Sequence, residues 1–528
     1  MLPVLPHVRM SLSSRDLRRI RLFAGSLLHT QPVLIADRPF AGLQATDSSE
    51  GNSLLVDDLS STALAERHPE NVVLQDRAVL RATAGDVVVT CSPRQRDFEN
   101  YCRDKLRLGE VEWQHVRTPR DPTRVSISAW TDRSVRHRLV HLLRSDRLHY
   151  LHPYAGDHQA WMLARLLQSA SRRPVRVIGP LPGLCRLVND KAWFARTVQD
   201  LFGARYLPRT LVVYNVAGLA KVISRLADSF ATMVVKLPDS SGGAGNVRLT
   251  TAEFRKCKPG RIRTLLRQRL PLDIWQLPRR MIVSCWQTDV VCSPSVQMWI
   301  PPPDEGPPVL EGIFEQLIDD QSMKFRGSRR AMLPDPVAEG VAERCLMLAV
   351  LFQQLGYLGR CSFDLLLTGT DIVSSRPEFI ECNGRWGGTS IPMALMNRLV
   401  GDWAARPYMT RRYLMDELRD IRFPDLFRAL ADSLFDPVSK EGFLVLMNAS
   451  GVGSSGRLDV LAVGETWPDV EMAICRDIPD LLRSVSPAPG YRSRIVTDRV
   501  SSTASTEPSG TGCQSSWLIG SDASTTAR

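Results

Sequence analysis

The sequence predicts an α/β domain, then α+β structure, then a disordered end, and three observations carry that prediction. Residues 1–179 alternate strand-like and helix-like segments, the middle of the chain holds two strand pairs rich in glycine or charge, and the residues from about Ser484 onward are rich in Ser, Thr, Gly and Pro. With 528 residues and 44% apolar content, the chain can bury cores for about three domains.

Within residues 1–179, GDVVVTCSPRQRDFENYCRDKL (Gly85 to Leu106) reads as a buried strand, a turn and an amphipathic helix. YLHPYAGDHQAWMLARLLQ (Tyr150 to Gln168) repeats that order. Such alternation predicts a parallel sheet with helical crossovers.

NDKAWFARTVQDLFGARYLPRT (Asn189 to Thr210) predicts a helix with Trp193, Phe194, Val198, Leu201 and Phe202 on its apolar side. Asn189 or Asp190 can cap it and Gly203 ends it. Lys191 in the first turn opposes the helix dipole, which points to a role other than stability; the plain alternative is an exposed lysine.

MVVKLPDSSGGAGNVRLT (Met233 to Thr250) predicts a strand, a glycine-rich turn and a second strand. Gly242, Gly243 and Gly245 can take backbone angles closed to other residues, so successive amides can face an anion. Lys236, just before the turn, can reach phosphate oxygens as a point charge. The segment is neither a P-loop nor a dinucleotide fingerprint, because no Gly-Lys-Ser/Thr follows. An ordinary loop is the plain alternative.

RCSFDLLL (Arg360 to Leu367), the turn-like TGTD, and EFIECNGRWGGTS (Glu378 to Ser390) predict a hairpin. Strand alternation puts Glu381, Asn383 and Arg385 on one face and Ile380, Cys382 and Gly384 on the other. A loop centred near Ile372 and Val373 sets Asp364 opposite Glu381. Facing like charges cost up to roughly 1 kcal/mol unless a cation lies between them. Asp364, Glu381 and Asn383 form an oxygen ligand set of the kind Mg²⁺ accepts alongside water and phosphate.

The order of these segments resembles the ATP-grasp superfamily: DK opening a helix (Asp190, Lys191), VVKLPDSSGGAG (Val234 to Gly245), MIVSCW (Met281 to Trp286), GYLGRCSFD (Gly356 to Asp364) and EFIECNGR (Glu378 to Arg385). More narrowly, ECNGRWGGTSIP with SPSVQMWI (Ser293 to Ile300) and EGIFEQLI (Glu311 to Ile318) is similar to the pheganomycin-type peptide ligases. That resemblance implies a Rossmann-like pre-ATP-grasp domain at 1–179, a two-lobe ATP-grasp domain at 180–401, a small C-terminal α+β domain at 402–483 and a disordered tail at 484–528. GFLVLMNASGVGSSGRLDVLAVG (Gly442 to Gly464) would be a hairpin of the third domain.

By the same resemblance, ATP and Mg²⁺ are the cofactors. Lys191 and Lys236 would hold phosphates under the glycine loop, and Asp364, Glu381 and Asn383 would hold metal. Ser284 and Cys285 occupy the hinge, where relatives often place an acid near the adenine, and Asp289 could take over a ribose contact. Lys236 and Arg385 would serve catalysis, Arg385 on the transferring phosphate or the oxyanion, with Arg360 and Arg326 as lesser candidates. The implied reaction activates a carboxylate as an acyl phosphate, then captures it with an amine. Small-molecule or peptide carboxylates and amines are the implied partners. The glycines of GRWGGTS would let a substrate carboxylate approach the backbone, at a helix N-terminus that favours anions.

Two other readings stand beside this one: an ATP-binding regulator or pseudo-enzyme, suggested by the unusual hinge, and a nucleic-acid-associated protein, suggested by a net charge of +11. The sharpest basic cluster, RIRTLLRQRLPLDIWQLPRR (Arg261 to Arg280), interleaves Leu and Trp at helical spacing, which favours a solvated face over a buried one. Eleven cysteines, odd in number and widely spaced, suggest neither a disulfide framework nor zinc and suit a reducing cytoplasm. RRIRLFAGSLL (Arg18 to Leu28) is too short for a signal core and no run reaches membrane-spanning length, so a soluble cytoplasmic protein is expected. Oligomeric state has no signature.

Overall fold

Runs without polar alternation, such as SLLV and VVVT, are buried at every position, as strands covered on both faces must be. In the computed structural model they are β2 (Ser53–Val56) and β3 (Val87–Thr90), beside β1 (Gln44–Ala45), β4 (Glu112–His115), β5 (Tyr150–Pro153) and β6 (Arg176–Ile178). The order is β1-β6-β5-β2-β3-β4, parallel throughout, as strand–helix alternation predicts. The structure describes residues 12–46, 51–61, 69–240, 246–270, 280–319, 324–415, 418–419, 421–447 and 456–484. Gly242, Gly243 and Gly245, residues 271–279 of the basic segment and the tail from 485 lie outside them.

A second, antiparallel sheet joins β7 (Thr210–Val213), β8 (Thr232–Lys236), β9 (Val247–Thr250) and β10 (Met281–Cys285) in the order β7-β10-β8-β9. Its Val213, Met233, Val235, Met281 and Val283 pack against Leu219, Ile223, Ile262 and Leu266 of the helices Val216–Leu226 and Pro259–Arg269. In the second of those helices Arg261, Arg263, Arg267 and Arg269 are exposed while Ile262 and Leu266 are buried. Over 259–269 the basic cluster is therefore the solvated face of an amphipathic helix.

The third sheet has nine strands: β11 (Val290–Cys292), β12 (Pro294–Ile300), β13 (Val309–Ile318), β14 (Phe325–Arg330), β15 (Gly359–Thr368), β16 (Arg376–Asn383), β17 (Tyr408–Leu414), β18 (Gly442–Val445) and β19 (Arg457–Val463). Val296, Met298, Phe363, Leu365, Phe379 and Cys382 pack with the helix Asp335–Gln354 in one apolar cluster. The pair expected over Gly442 to Gly464 is β18 and β19, antiparallel with Val445 opposite Val460. These strands enter the same sheet through β17, which pairs with β14 at Arg329 and Met409.

The parallel sheet is tied to this region by a shared core. Tyr101 packs edge-on to Phe423 and Phe427, with ring centroids 5.7 Å apart in each case. The Val445 backbone N–H donates to the Tyr101 hydroxyl at 3.0 Å. The ten described cysteines are free. Among the described residues no helix is long and apolar enough to cross a membrane.

Candidate active site

β15 and β16 form the expected hairpin, and Asp364 lies opposite Glu381 with Ser362 opposite Asn383. Strict alternation would then put Phe379 on the Glu381 face. Instead the register shifts between Asp364 and Leu365, so that Leu365 pairs with Phe379 and Ile380 is the extra residue. This bulge lets Phe379 and Cys382 both join the core with Phe363 while the acids face away.

The acids are wired into a polar cluster. Ser295 Oγ donates to Asp364 Oδ1 at 2.7 Å, and Asn383 Nδ2 donates to Asp364 Oδ2 at 2.9 Å and to Glu381 Oε1 at 3.5 Å. Arg385 donates to Asn383 Oδ1 at 2.6 Å. Lys191 Nζ lies 2.9 Å from Glu381 Oε2 and also donates to the Ser240 carbonyl. The alternative of an exposed lysine does not hold, because Lys191 is buried. Asp190 caps its helix by accepting from Ala192 N and Trp193 N, and the Lys191 backbone N–H donates to Pro238 O. The helix start is thereby pinned to the segment after β8.

Lys236 ends β8, opposite Ile282 of β10. Burial, offset by the Glu381 charge and reinforced by Lys191, pushes its ammonium down to about 8. Burial and the facing Glu381 push Asp364 up to about 6, against hydrogen bonds from Ser295 and Gln316. Glu381 itself is also raised by burial, but Lys191, Arg385 and Lys236 more than compensate and hold it below the usual carboxylate range. Glu381 is the ionised member of the pair, and three cations converge on it.

The other expected residues are placed differently. Ser284 shares a hydrogen bond of 2.9 Å with Thr210 on the neighbouring strand, and Cys285, opposite the core residue Met233, is buried. Neither joins the cluster around Asp364. Arg360 is committed to buried Glu311, and Arg326 to Asp319 at 3.3 Å. The hinge does have an acid, but it comes from β16: buried Glu378 accepts from Gln287 Nε2 at 2.6 Å, its charge is felt at Cys285, and it feels the charge of Asp289 in turn. Glu378 and Ser295 carry no signal that reading along one strand could reveal, since their partners come from other segments. A cleft of about 1350 Å³ opens beside the cluster, lined by Lys191, Asn383 and Arg385 with Asp157, Asp190 and Tyr214.

Residues 75–169 match the model of the Pre ATP-grasp domain. That stretch is similar to a pre ATP-grasp domain. No curated protein sequence matches the chain. Among solved structures, N5-carboxyaminoimidazole ribonucleotide synthetase from Thermus thermophilus is 13% identical, covering 83% of this chain and 99% of that one, with a TM-score of 0.47. The biotin carboxylase domain of Hydrogenobacter thermophilus 2-oxoglutarate carboxylase, solved with MgADP, ADP and bicarbonate, is 12% identical over 80% of this chain and 88% of that one, with a TM-score of 0.48. Likenesses this distant say nothing of what this chain binds.

The 75–169 region reaches the cluster through Trp386. The Trp386 indole lies between two guanidiniums, with Arg81 Cζ 4.9 Å and Arg360 Cζ 4.6 Å from its ring centroid. Arg81, from that region, is paired with buried Asp57, as Arg360 is with Glu311. The Trp386 ring N–H donates to His152 Nε2 at 3.2 Å, and its backbone N–H donates to Tyr154 O at 3.0 Å. Arg385, one residue earlier, donates to the Tyr154 hydroxyl at 3.4 Å. The region thus holds both residues that follow Gly384.

Proposed function

We propose that the protein is an ATP- and Mg²⁺-dependent carboxylate–amine ligase, and that the bond it makes is an amide of the peptide type. The observation that supports this best is the convergence of Lys191, Lys236 and Arg385 on a facing pair of carboxylates beside an open cleft. Phosphoryl transfer needs positioning and charge neutralisation more than a protein nucleophile, and this cluster supplies both.

The donor set fits Mg²⁺. Asp364 and Glu381 face each other, and the repulsion that raises Asp364 is what a cation between them would relieve. Asn383 turns its Nδ2 to both acids, so it fits as a third ligand with its carboxamide rotated to present oxygen. The ion would neutralise phosphate charge and orient the transferred group.

The remaining chemistry falls to side chains of the chain. Lys191 and Lys236 bind the phosphates of ATP, and Arg385 holds the substrate carboxylate against the γ-phosphorus. A carboxylate oxygen bonds to that phosphorus as ADP leaves. The amine nitrogen then bonds to the acyl carbon, Arg385 balances the oxyanion, and inorganic phosphate leaves as the nitrogen loses a proton. The test is ADP release with pooled carboxylates and amines, followed by mass spectrometry for condensed products. Acceptor-dependent ADP with a product lighter than its parts by one water supports the reading; ADP release that ignores every acid and amine contradicts it.

A further inference from the structure

The face of the nine-stranded sheet that carries Asp364 and Glu381 continues well beyond them. Asp364 pairs with Ser295, Ser295 with Phe314, and Phe314 with Arg330. Arg329 meets Met409, and Ser328 and Thr410 share a hydroxyl contact of 3.2 Å, which puts Thr410 and, two residues on, Arg412 on this same face. Arg412 pairs in turn with Asp459. There a pocket of about 30 Å³ lies among Arg77, Phe325, Arg326, Gly387, Gly388 and Arg412. A water needs roughly 10–15 Å³ on this measure, so the pocket has room for two or three heavy atoms, the size of a carboxylate head.

Positive charge is in excess around it. Asp459 is the acid within the pocket, and it is shared by Arg412, at 2.8 and 3.2 Å, and Arg457, at 2.6 and 3.1 Å. Arg457 is pulled below its usual value by burial and, despite Asp459, by the charges of Arg412 and Arg77. Among the described residues, the Arg77 side chain donates to the Leu74 carbonyl at 3.3 Å, and the acid that feels its charge, Asp57, is already bonded to Arg81. The backbone also closes in: a Cβ on Gly388 would come within 2.8 Å of the Phe325 ring, which would have to shift to admit it. The helix Ser390–Val400 starts just beyond, with no side chain capping it.

We propose that this pocket binds the far carboxylate of an extended substrate whose other end reacts at the acid cluster; the binding site stands on its own, and only the reacting end rests on the ligase reading. β14 and β17 are three and four strands from β15, roughly 14–19 Å at the usual strand spacing. An extended chain covers that span in about four to six residues. The guanidinium of Arg77 provides forked donors for the carboxylate, and Arg326 and Arg412 add charge while remaining bonded to Asp319 and Asp459.

The test uses the full-length chain and three probes: pentaglycine, pentaglycine amide and inorganic phosphate, with binding read by calorimetry. Pentaglycine should bind at least tenfold more tightly than its amide. Arg77→Gln should remove at least tenfold of that affinity while ATP binding stays unchanged, and Arg326→Gln is the second variant should Arg77→Gln fail to fold. Equal affinity for acid and amide, an unaltered affinity in both variants, or phosphate binding without pentaglycine binding would overturn the proposal. A failure of the ligase reading would show instead as no acceptor-dependent ADP release, with the pentaglycine result intact.

Discussion

Lys191 Nζ lies 2.9 Å from Glu381 Oε2, joining the first turn of a helix to the end of a strand that shares its apolar core. A lysine there works against its own helix dipole. The pairing supplies the compensation, and it draws the lysine into the charged cluster beside the cleft.

Replacing Glu381 by Gln keeps the shape but removes the charge on which Lys191, Lys236 and Arg385 converge. ADP release should fall on the order of 100-fold or more, the scale of losing one preorganised electrostatic contact. Circular dichroism should show the fold retained. Unchanged turnover would remove Glu381 from the metal assignment.

Lys236→Ala should chiefly weaken nucleotide binding, by tenfold or more in titrations with ATP. Because the Lys236 ammonium sits at about 8 in the free protein, ATP affinity should decline as pH rises above about 8, where the lysine becomes neutral. Stability should move the other way. The folded value lies below the unfolded one, so the burial penalty is present in full below about pH 8 and is relieved as pH rises towards the unfolded value. A nucleotide affinity identical in Lys236→Ala and flat across that range would rule out the phosphate role.

His152 is held neutral, its value pushed well below normal by burial and by the charges of Arg81 and Arg360. Only a neutral ring with a bare Nε2 can accept the Trp386 N–H. Below about pH 6.5 the unfolded chain takes up a proton that the folded chain refuses, so stability should fall with pH, by up to about 1.4 kcal/mol per pH unit. His152→Gln should remove that part of the slope in denaturant melts. The same slope in the variant would place its origin elsewhere.

Trp386→Ala leaves two buried guanidiniums facing each other across a void. Trp386 is half-buried, so its truncation should cost less than the roughly 3–5 kcal/mol of a fully buried aromatic, and the cation–π contacts add to that loss. Trp386→Phe keeps a ring between Arg81 and Arg360 and should recover much of the loss. Equal melting temperatures for the Ala and Phe variants would show that the ring's position between the arginines contributes nothing.

The sequence is most legible where one segment determines the outcome. The parallel strands follow from buried apolar runs, and the cap at Asp190 and the stop at Gly203 from local residue chemistry. The Asp364–Glu381 pairing needs more than the hairpin loop, which closes at Thr368 and Arg376 and would by itself put Asp364 opposite Ile380. Strict alternation fails at Ile380, because burying both Phe379 and Cys382 needs an extra residue that a two-residue period cannot express. Ser284, Cys285 and Glu378 show a deeper limit. Which face a hinge strand presents, and which acid stands near it, depends on Thr210, Met233 and Gln287 from other segments. The Arg81–Trp386–Arg360 stack is equally invisible in the sequence, because its residues come from a helix end, a loop and a strand far apart in the chain.

The central claim is that a carboxylate attacks phosphorus at this site, and oxygen transfer reads that event directly. With an acceptor pair that supports ADP release, the carboxylate is labelled with ¹⁸O and the inorganic phosphate is analysed by mass spectrometry. The account predicts one ¹⁸O atom in each phosphate released, with labelled phosphate forming more slowly in step with turnover when Glu381→Gln replaces the native chain. Phosphate that carries no label while amide product accumulates would contradict it.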